Sequence, residues 1–184
     1  MIFIVIWSLW FISEILLNRL FRSGNNAEKN HDKGTIRIIW ITIFVANTLG
    51  IVFANILHLN ISNSDILPHF GLFIIVCGMI FRFIAIKSLG SSFTVDVTVS
   101  DNQKIKKDGI YSIIRHPSYT GMILSFIGFG ISLNNWASLL IISIPVFLAL
   151  LYRIEVEEKL LKELLGSEYS EYMKNTYRLI PWIY

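Results

Sequence analysis

The run GIYSIIRHPSYTG, residues Gly109 to Gly121, decides how the rest of the chain is read. It places Tyr111, Arg115, His116 and Tyr119, four groups able to hold a small polar ligand, just ahead of a long apolar run. Pro117 has no backbone N–H to donate and suits the first position of a helix, so a helix is predicted to begin there. Arg115 and His116 then stand at the mouth of that helix, where unpaired N–H groups and the positive dipole end point outward. A juxtamembrane turn with ordinary snorkelling cations would show the same spacing, and the stretch alone leaves both readings open.

Outward from this motif the chain is strongly apolar. The hydrophobic fraction is 54%, charged residues make up 16%, and mean hydropathy is +0.59. A water-soluble fold of 184 residues would not expose that much apolar side chain, so the expected class is an all-α integral membrane protein. A span needs roughly 20 residues. Five runs of that order are predicted to cross: Met1 to Leu20, Ile36 to Leu57, Ile66 to Ile86, Pro117 to Leu133 and Trp136 to Tyr152. The first lacks a basic leader and a small-residue cleavage site, so it is read as a retained span. One domain over 1–184 is expected, with the first three spans in 1–88 and a catalytic core holding spans four and five in 89–184.

Charge placement predicts the topology. If the spans alternate, all sixteen Lys and Arg residues fall on one side, in the first connection, the third connection and the tail or at the span ends beside them. The connections Leu57 to Asp65 and Asn134-Asn135 carry none. By the positive-inside rule the N-terminus is outside and the tail cytoplasmic, in the plasma membrane if the source is a prokaryote. The net charge of +3 is therefore a matter of orientation and anionic lipid, and no nucleic-acid partner is expected. The single cysteine, Cys77, excludes an intrachain disulfide and a thiolate metal cluster. His31, in the polar loop Ser23 to Lys33, makes no case for a metal, and none is expected.

The remaining polar groups are sparse. Glu14 lies within the first predicted span, where a carboxylate is a functional candidate or the partner of a neighbouring helix. Arg82, at the end of the third, is expected to snorkel. Thr94 to Val99 alternates β-branched and polar residues, the mark of an extended segment leading back toward the motif. Gly121, Gly128 and Gly130 suit close helix packing, and Pro145 should kink the fifth span. Beyond it come Arg153, Glu155, Glu157 and Glu158, on a helix expected to stop at Gly166. Arg153 and Glu157, at i and i+4, share one face, with Glu158 about 100° further round. A solvated helix end would carry the same charges. Ser167 to Lys174 reads as a short helix, and Ile180-Pro181-Trp182 as an amphipathic ending suited to the bilayer surface.

Together, GIYSIIRHPSYTG, the lead-in LGSSF at Leu89 to Phe93 and the downstream RIEVEEKLLKELLGSEYSEYMKNTYRLIP resemble the isoprenylcysteine carboxyl methyltransferase family. More loosely they resemble the phospholipid N-methyltransferases. The likeness covers about Leu89 to Pro181, and in length it is closer to the compact prokaryotic members. It implies S-adenosylmethionine as cofactor and a lipophilic or lipidated acceptor reaching the site from the bilayer. It also implies cofactor contacts at the backbone of Gln103, Lys104, Ile105 and Lys106, and at Tyr111, His116, Pro117, Ser118, Tyr119 and Glu157. Such a cofactor wants aromatic faces and a carboxylate near its cations, groups these residues supply. Arg153 looks like the substrate group, since a carboxylate acceptor needs alignment and no general base. Glu158 would orient Arg153 or face solvent. An amine acceptor would instead need a proton acceptor such as His116 or a glutamate. A phospholipid or small-molecule N/S-methyltransferase, an NAD(P)H-dependent membrane reductase and a non-catalytic scaffold remain the alternatives.

Overall fold

A computed structural model describes residues 1–20, 33–90 and 105–182. The Ser23 to Lys33 loop with His31, apart from Lys33 itself, lies outside the described residues. So do the Thr94 to Val99 segment and Gln103 and Lys104. Among the described residues every regular element is helical: α1 (Ile2–Leu20), α2 (Lys33–Ile56), α3 (Ile66–Leu89), one 3-10 turn (Gly109–Ser112), α4 (Pro117–Ser132) and α5 (Trp136–Lys174). Three helices, Gly34–Ile56, Ile66–Leu89 and Trp136–Lys174, are long and apolar enough to cross a membrane. The apolar part of α1, Ile2–Leu17, is shorter, and α4 has 16 residues.

The bundle is apolar outside as well as inside. Phe44, Phe73, Phe83 and Leu148 project outward, as side chains facing lipid must. Lipid gives no hydrophobic drive for helix association, so close packing has to supply it. Helices α3 and α4 meet through glycine: a Cβ on Gly78 would stand 2.6 Å from the Gly121 carbonyl oxygen, and one on Gly121 2.7 Å from that of Gly78. Gly128 sits against Gly71 and Ile75 in the same way, while Gly130 faces Leu139 of α5. The glycines of α4 are therefore packing residues. Trp10 of α1 wedges edge-on against Phe126 of α4, with ring centroids 4.8 Å apart.

Asn135 begins α5 by accepting from the Ser138 N–H at 3.1 Å, and its amide donates to the Leu57 carbonyl. Asn134 turns the chain at φ 49° and clasps the backbone of Ser62 through both ends of its amide. The two cation-free connections thus meet at one end of the bundle. The Arg-His-Pro motif gathers at the other.

Two expectations are corrected here. Pro145 leaves the helical backbone of α5 intact, and the break falls at Gly166, with φ 57° and ψ −127°. Arg82 does not snorkel: it is buried, with Nε 3.0 Å from Glu14. The tail reaches back onto the bundle just before its ending: Leu179 is buried and its carbonyl accepts from the Thr120 hydroxyl at 2.8 Å, while Ile180 and Trp182 stay exposed.

Candidate active site

Local backbone chemistry sets the motif's shape. Gly109, at φ 60°, opens the 3-10 turn in a conformation that other residues rarely adopt. His116 is the residue before a proline and takes a non-helical φ of −122°, so α4 starts at Pro117 as anticipated. The helix mouth is not open to a ligand on every side. The tail folds back along it: the N–H of Tyr177 donates to the Ile113 carbonyl at 2.9 Å. Those of Arg115 and His116 donate in turn to the carbonyls of Tyr177 at 2.8 Å and Arg178 at 3.1 Å.

Four of the residues singled out above come together beside this mouth. The rings of His116 and Tyr119 stack with centroids 5.6 Å apart at 21°. The Tyr119 hydroxyl donates to Glu157 Oε2 at 2.8 Å and accepts from Arg153 Nε at 3.3 Å, so one oxygen joins the acidic and the basic residue. Arg153 Nη1 also donates to the Thr35 hydroxyl at 2.6 Å, and Arg153 is only 2% exposed. The solvated-end alternative for α5 is thereby excluded for Arg153. Glu157 keeps more room, with its side chain 26% exposed, and its Oε1 lies 4.0 Å from His116 Nδ1.

Glu158 occupies a different place from the one foreseen. It is 3% exposed, so it does not face solvent, and it turns toward the motif and the tail. Its Oε1 accepts from Arg115 Nε at 2.9 Å and from His116 Nε2 at 3.3 Å, and its Oε2 from Arg178 Nε at 2.9 Å. Burial alone would push this carboxyl up, but His116 and then Arg115 hold it down at about 2. Arg115 also donates to the Met173 carbonyl at 3.0 Å and the Thr176 hydroxyl at 3.2 Å, so it anchors the tail.

The other expected positions play supporting parts. Tyr111 is buried, which pushes its phenol up, and it donates to the Ala85 carbonyl at 3.2 Å while its own carbonyl accepts from Tyr172 at 2.6 Å. Ser118 receives Arg82 Nη1 on both its carbonyl, at 3.0 Å, and its hydroxyl, at 2.8 Å. Pro117 is fully buried at the first turn of α4. Ile105 lies half-buried on the approach, and Lys106 pairs with Asp108 at 3.0 Å. Sequence reasoning missed Thr35, Arg178 and, though it allowed Glu14 a partner on a neighbouring helix, that Arg82 is this partner. Only the last had a signal, a carboxylate and a cation each within an apolar helix.

Between the helices, Glu14, Arg82, Tyr119 and Arg153 line a cleft of about 60 Å³ whose other walls are apolar, including Ile36, Ile39, Trp40, Met122 and Leu150. Two guanidiniums against one carboxylate give this wall an excess positive charge. A larger groove of about 390 Å³, lined by Phe11, Ile15, Arg19, Trp40, Ile43 and Phe44, shares Trp40 with it. The arrangement can therefore hold a cationic group at Glu157, an aromatic face on the His116–Tyr119 stack, and an anion near Arg153.

The profile of the isoprenylcysteine carboxyl methyltransferase family matches residues 71–163. Protein-S-isoprenylcysteine O-methyltransferase B of Arabidopsis thaliana is 33% identical over 119 residues, covering 64% of this chain and 60% of the relative. The Saccharomyces cerevisiae protein-S-isoprenylcysteine O-methyltransferase is 36% identical over 115 residues, covering 61% of this chain and 48% of the relative. A solved structure of a eukaryotic intramembrane Ras methyltransferase superposes with a TM-score of 0.67 at 25% identity, covering 97% of this chain and 64% of that one. The chain thus spans less than two thirds of the length of these relatives. These matches favour neither the reductase nor the scaffold alternative.

Proposed function

Because the chain belongs to the isoprenylcysteine carboxyl methyltransferase family, we propose that it is a membrane-embedded methyltransferase that uses S-adenosylmethionine to esterify the carboxylate of a prenylcysteine-like, lipophilic acceptor. The observation that carries the reading is the Tyr119 hydroxyl bound at once to Glu157 and Arg153. It puts a carboxylate suited to a cation and a guanidinium suited to a carboxylate on the two sides of one oxygen.

The donor set fits the cofactor. Glu157, partly exposed beside a stacked aromatic pair, offers charge and π-faces to cations. When bound, S-adenosylmethionine supplies an activated methyl group on its sulfonium. His116, Tyr119 and Glu157 hold and orient it, and the backbone near Ile105 and Lys106 closes the approach. Gln103 and Lys104 belong to the same proposed stretch. Arg153 aligns the acceptor carboxylate, which is already ionised at neutral pH and needs no base. Glu14 and Arg82 form part of the cleft wall behind it. The acceptor's tail lies among apolar side chains continuous with the bilayer, so lipids and lipidated molecules are its expected partners.

The topology proposed is five crossings with the N-terminus outside and the motif cytoplasmic. Segregation of all sixteen cations supports it, as does the contact between the two cation-free connections. At about 1.5 Å per residue the two shorter helices would cross only a thinned or partly polar path.

Binding of labelled S-adenosylmethionine to the purified protein, in competition with a nicotinamide cofactor, tests the class. Preference for the nicotinamide, or binding of neither, would contradict the proposal. A transfer screen over prenylcysteine, phospholipid and small-thiol acceptors then names the substrate.

A further inference from the structure

Arg178 belongs to the tail, outside the residues that the proposed function uses, yet its guanidinium reaches the buried carboxylate beside His116. Its Nε donates to Glu158 Oε2 at 2.9 Å, and its Nη2 lies 2.8 Å from the same oxygen. The other oxygen, Oε1, serves Arg115 and His116 Nε2. A carboxylate held ionised can only accept, so His116 Nε2 carries a proton and its partner nitrogen Nδ1 is the one turned toward Glu157, 4.0 Å away. The backbone carbonyl of Arg178 meanwhile accepts from the His116 N–H at 3.1 Å. One tail residue thus holds the histidine twice, by its main chain directly and by its side chain through Glu158.

We propose that Arg178 is a positioning residue of the cofactor pocket: with Glu158 it fixes the His116 ring so that Nδ1 stands beside Glu157 and the ring face stays parallel to Tyr119, a paired site for a cationic group of the ligand. The proposal rests on the methyltransferase reading. A ring turned about its Cβ–Cγ bond would put carbon in place of nitrogen beside both Glu157 and Glu158, and at intermediate angles would break the stack. Arg115 keeps Glu158 charged without Arg178, but from one side, leaving Oε2 without its guanidinium. Substituting Arg178 leaves the main-chain donors and acceptors of the tail in place and removes side-chain contacts only.

The test is equilibrium binding of S-adenosylhomocysteine to the purified full chain, beside thermal unfolding of the same samples. Arg178→Ala is expected to weaken binding about ten- to a hundredfold, the usual cost of removing a partner that orients a binding histidine at a metal site. Arg178→Lys should recover part of the loss. Glu158→Gln should resemble Arg178→Ala, and the double variant should bind no worse than the weaker single, because both act through one ring. Glu168→Gln, at an exposed pair with Lys107, should change nothing. Wild-type binding with unaltered affinity in Arg178→Ala, whatever its unfolding temperature, would overturn the proposal alone, as would additive losses in the double variant. Failure of the wild-type chain to bind would overturn the methyltransferase reading, and this proposal with it.

Discussion

A single phenolic oxygen links the two halves of the proposed chemistry, and its removal has a distinct consequence at each neighbour. Tyr119→Phe deletes hydrogen bonds to two charged groups, worth about 1.5–3 kcal/mol each. Turnover should therefore fall about 10²–10⁴-fold, with the protein still inserting, as a radiometric transfer assay would read. Arg153→Ala should abolish turnover while cofactor affinity stays near normal, and Arg153→Lys should rescue little, because a lysine cannot make a forked contact. Glu157→Ala should lose cofactor affinity instead. Glu158 makes a prediction in pH. Its carboxyl is lowered from 4.5 to about 2 in the folded chain, so the unfolded chain binds the proton more readily. Its stabilising contribution is complete above about pH 4.5 and is lost as pH falls toward 2. Protection of the Arg115, His116 and Tyr177 amides, relative to their intrinsic exchange rates at each pH, should fall across that window, and a flat protection profile would contradict the assignment. Arg153 and Glu157 were legible as residues because i and i+4 spacing is geometric. The partner of Glu158 was not, since the side of a helix that faces a tail folded back from later in sequence leaves no local pattern.

Among the elements, α3 and α4 depend on each other through glycine rather than through large apolar side chains. Gly78→Leu or Gly121→Leu would drive a side chain into the facing backbone at under 3 Å, so the helices would have to part. Because Arg82 carries Ser118 on the next turn, that separation should abolish cofactor binding as well as lower thermal stability, and Gly34→Leu, in open space, should do neither. Helix boundaries were legible wherever backbone chemistry dictates them, at Pro117, Asn135 and Gly166. Pro145 misled because a proline in a long helix can leave its neighbours helical, whereas a positive φ at Gly166 cannot. Beside the Ile180-Pro181-Trp182 ending, whose Ile180 and Trp182 are exposed, the return of Tyr177 to Ile113 that buries Leu179 left no local pattern.

For the molecule as a whole, hydropathy and the distribution of cations predicted a helical membrane protein because lipid imposes both over whole segments. The number of crossings is the part that length alone leaves to experiment, with α1 and α4 short. Cysteine labelling at positions Ser62 and Asn102 should report opposite faces, and labelling of both from one side would contradict the five-span arrangement. The proposed product is an ester, which differs from an amine or thioether product in one simple respect. Purified protein in liposomes should transfer label from methyl-labelled S-adenosylmethionine to a farnesylcysteine acceptor, and mild base should release that label as volatile methanol. Base-labile transfer by the wild-type chain, absent from Arg153→Ala, is the predicted result; base-stable label, or equal transfer by both, would contradict the account.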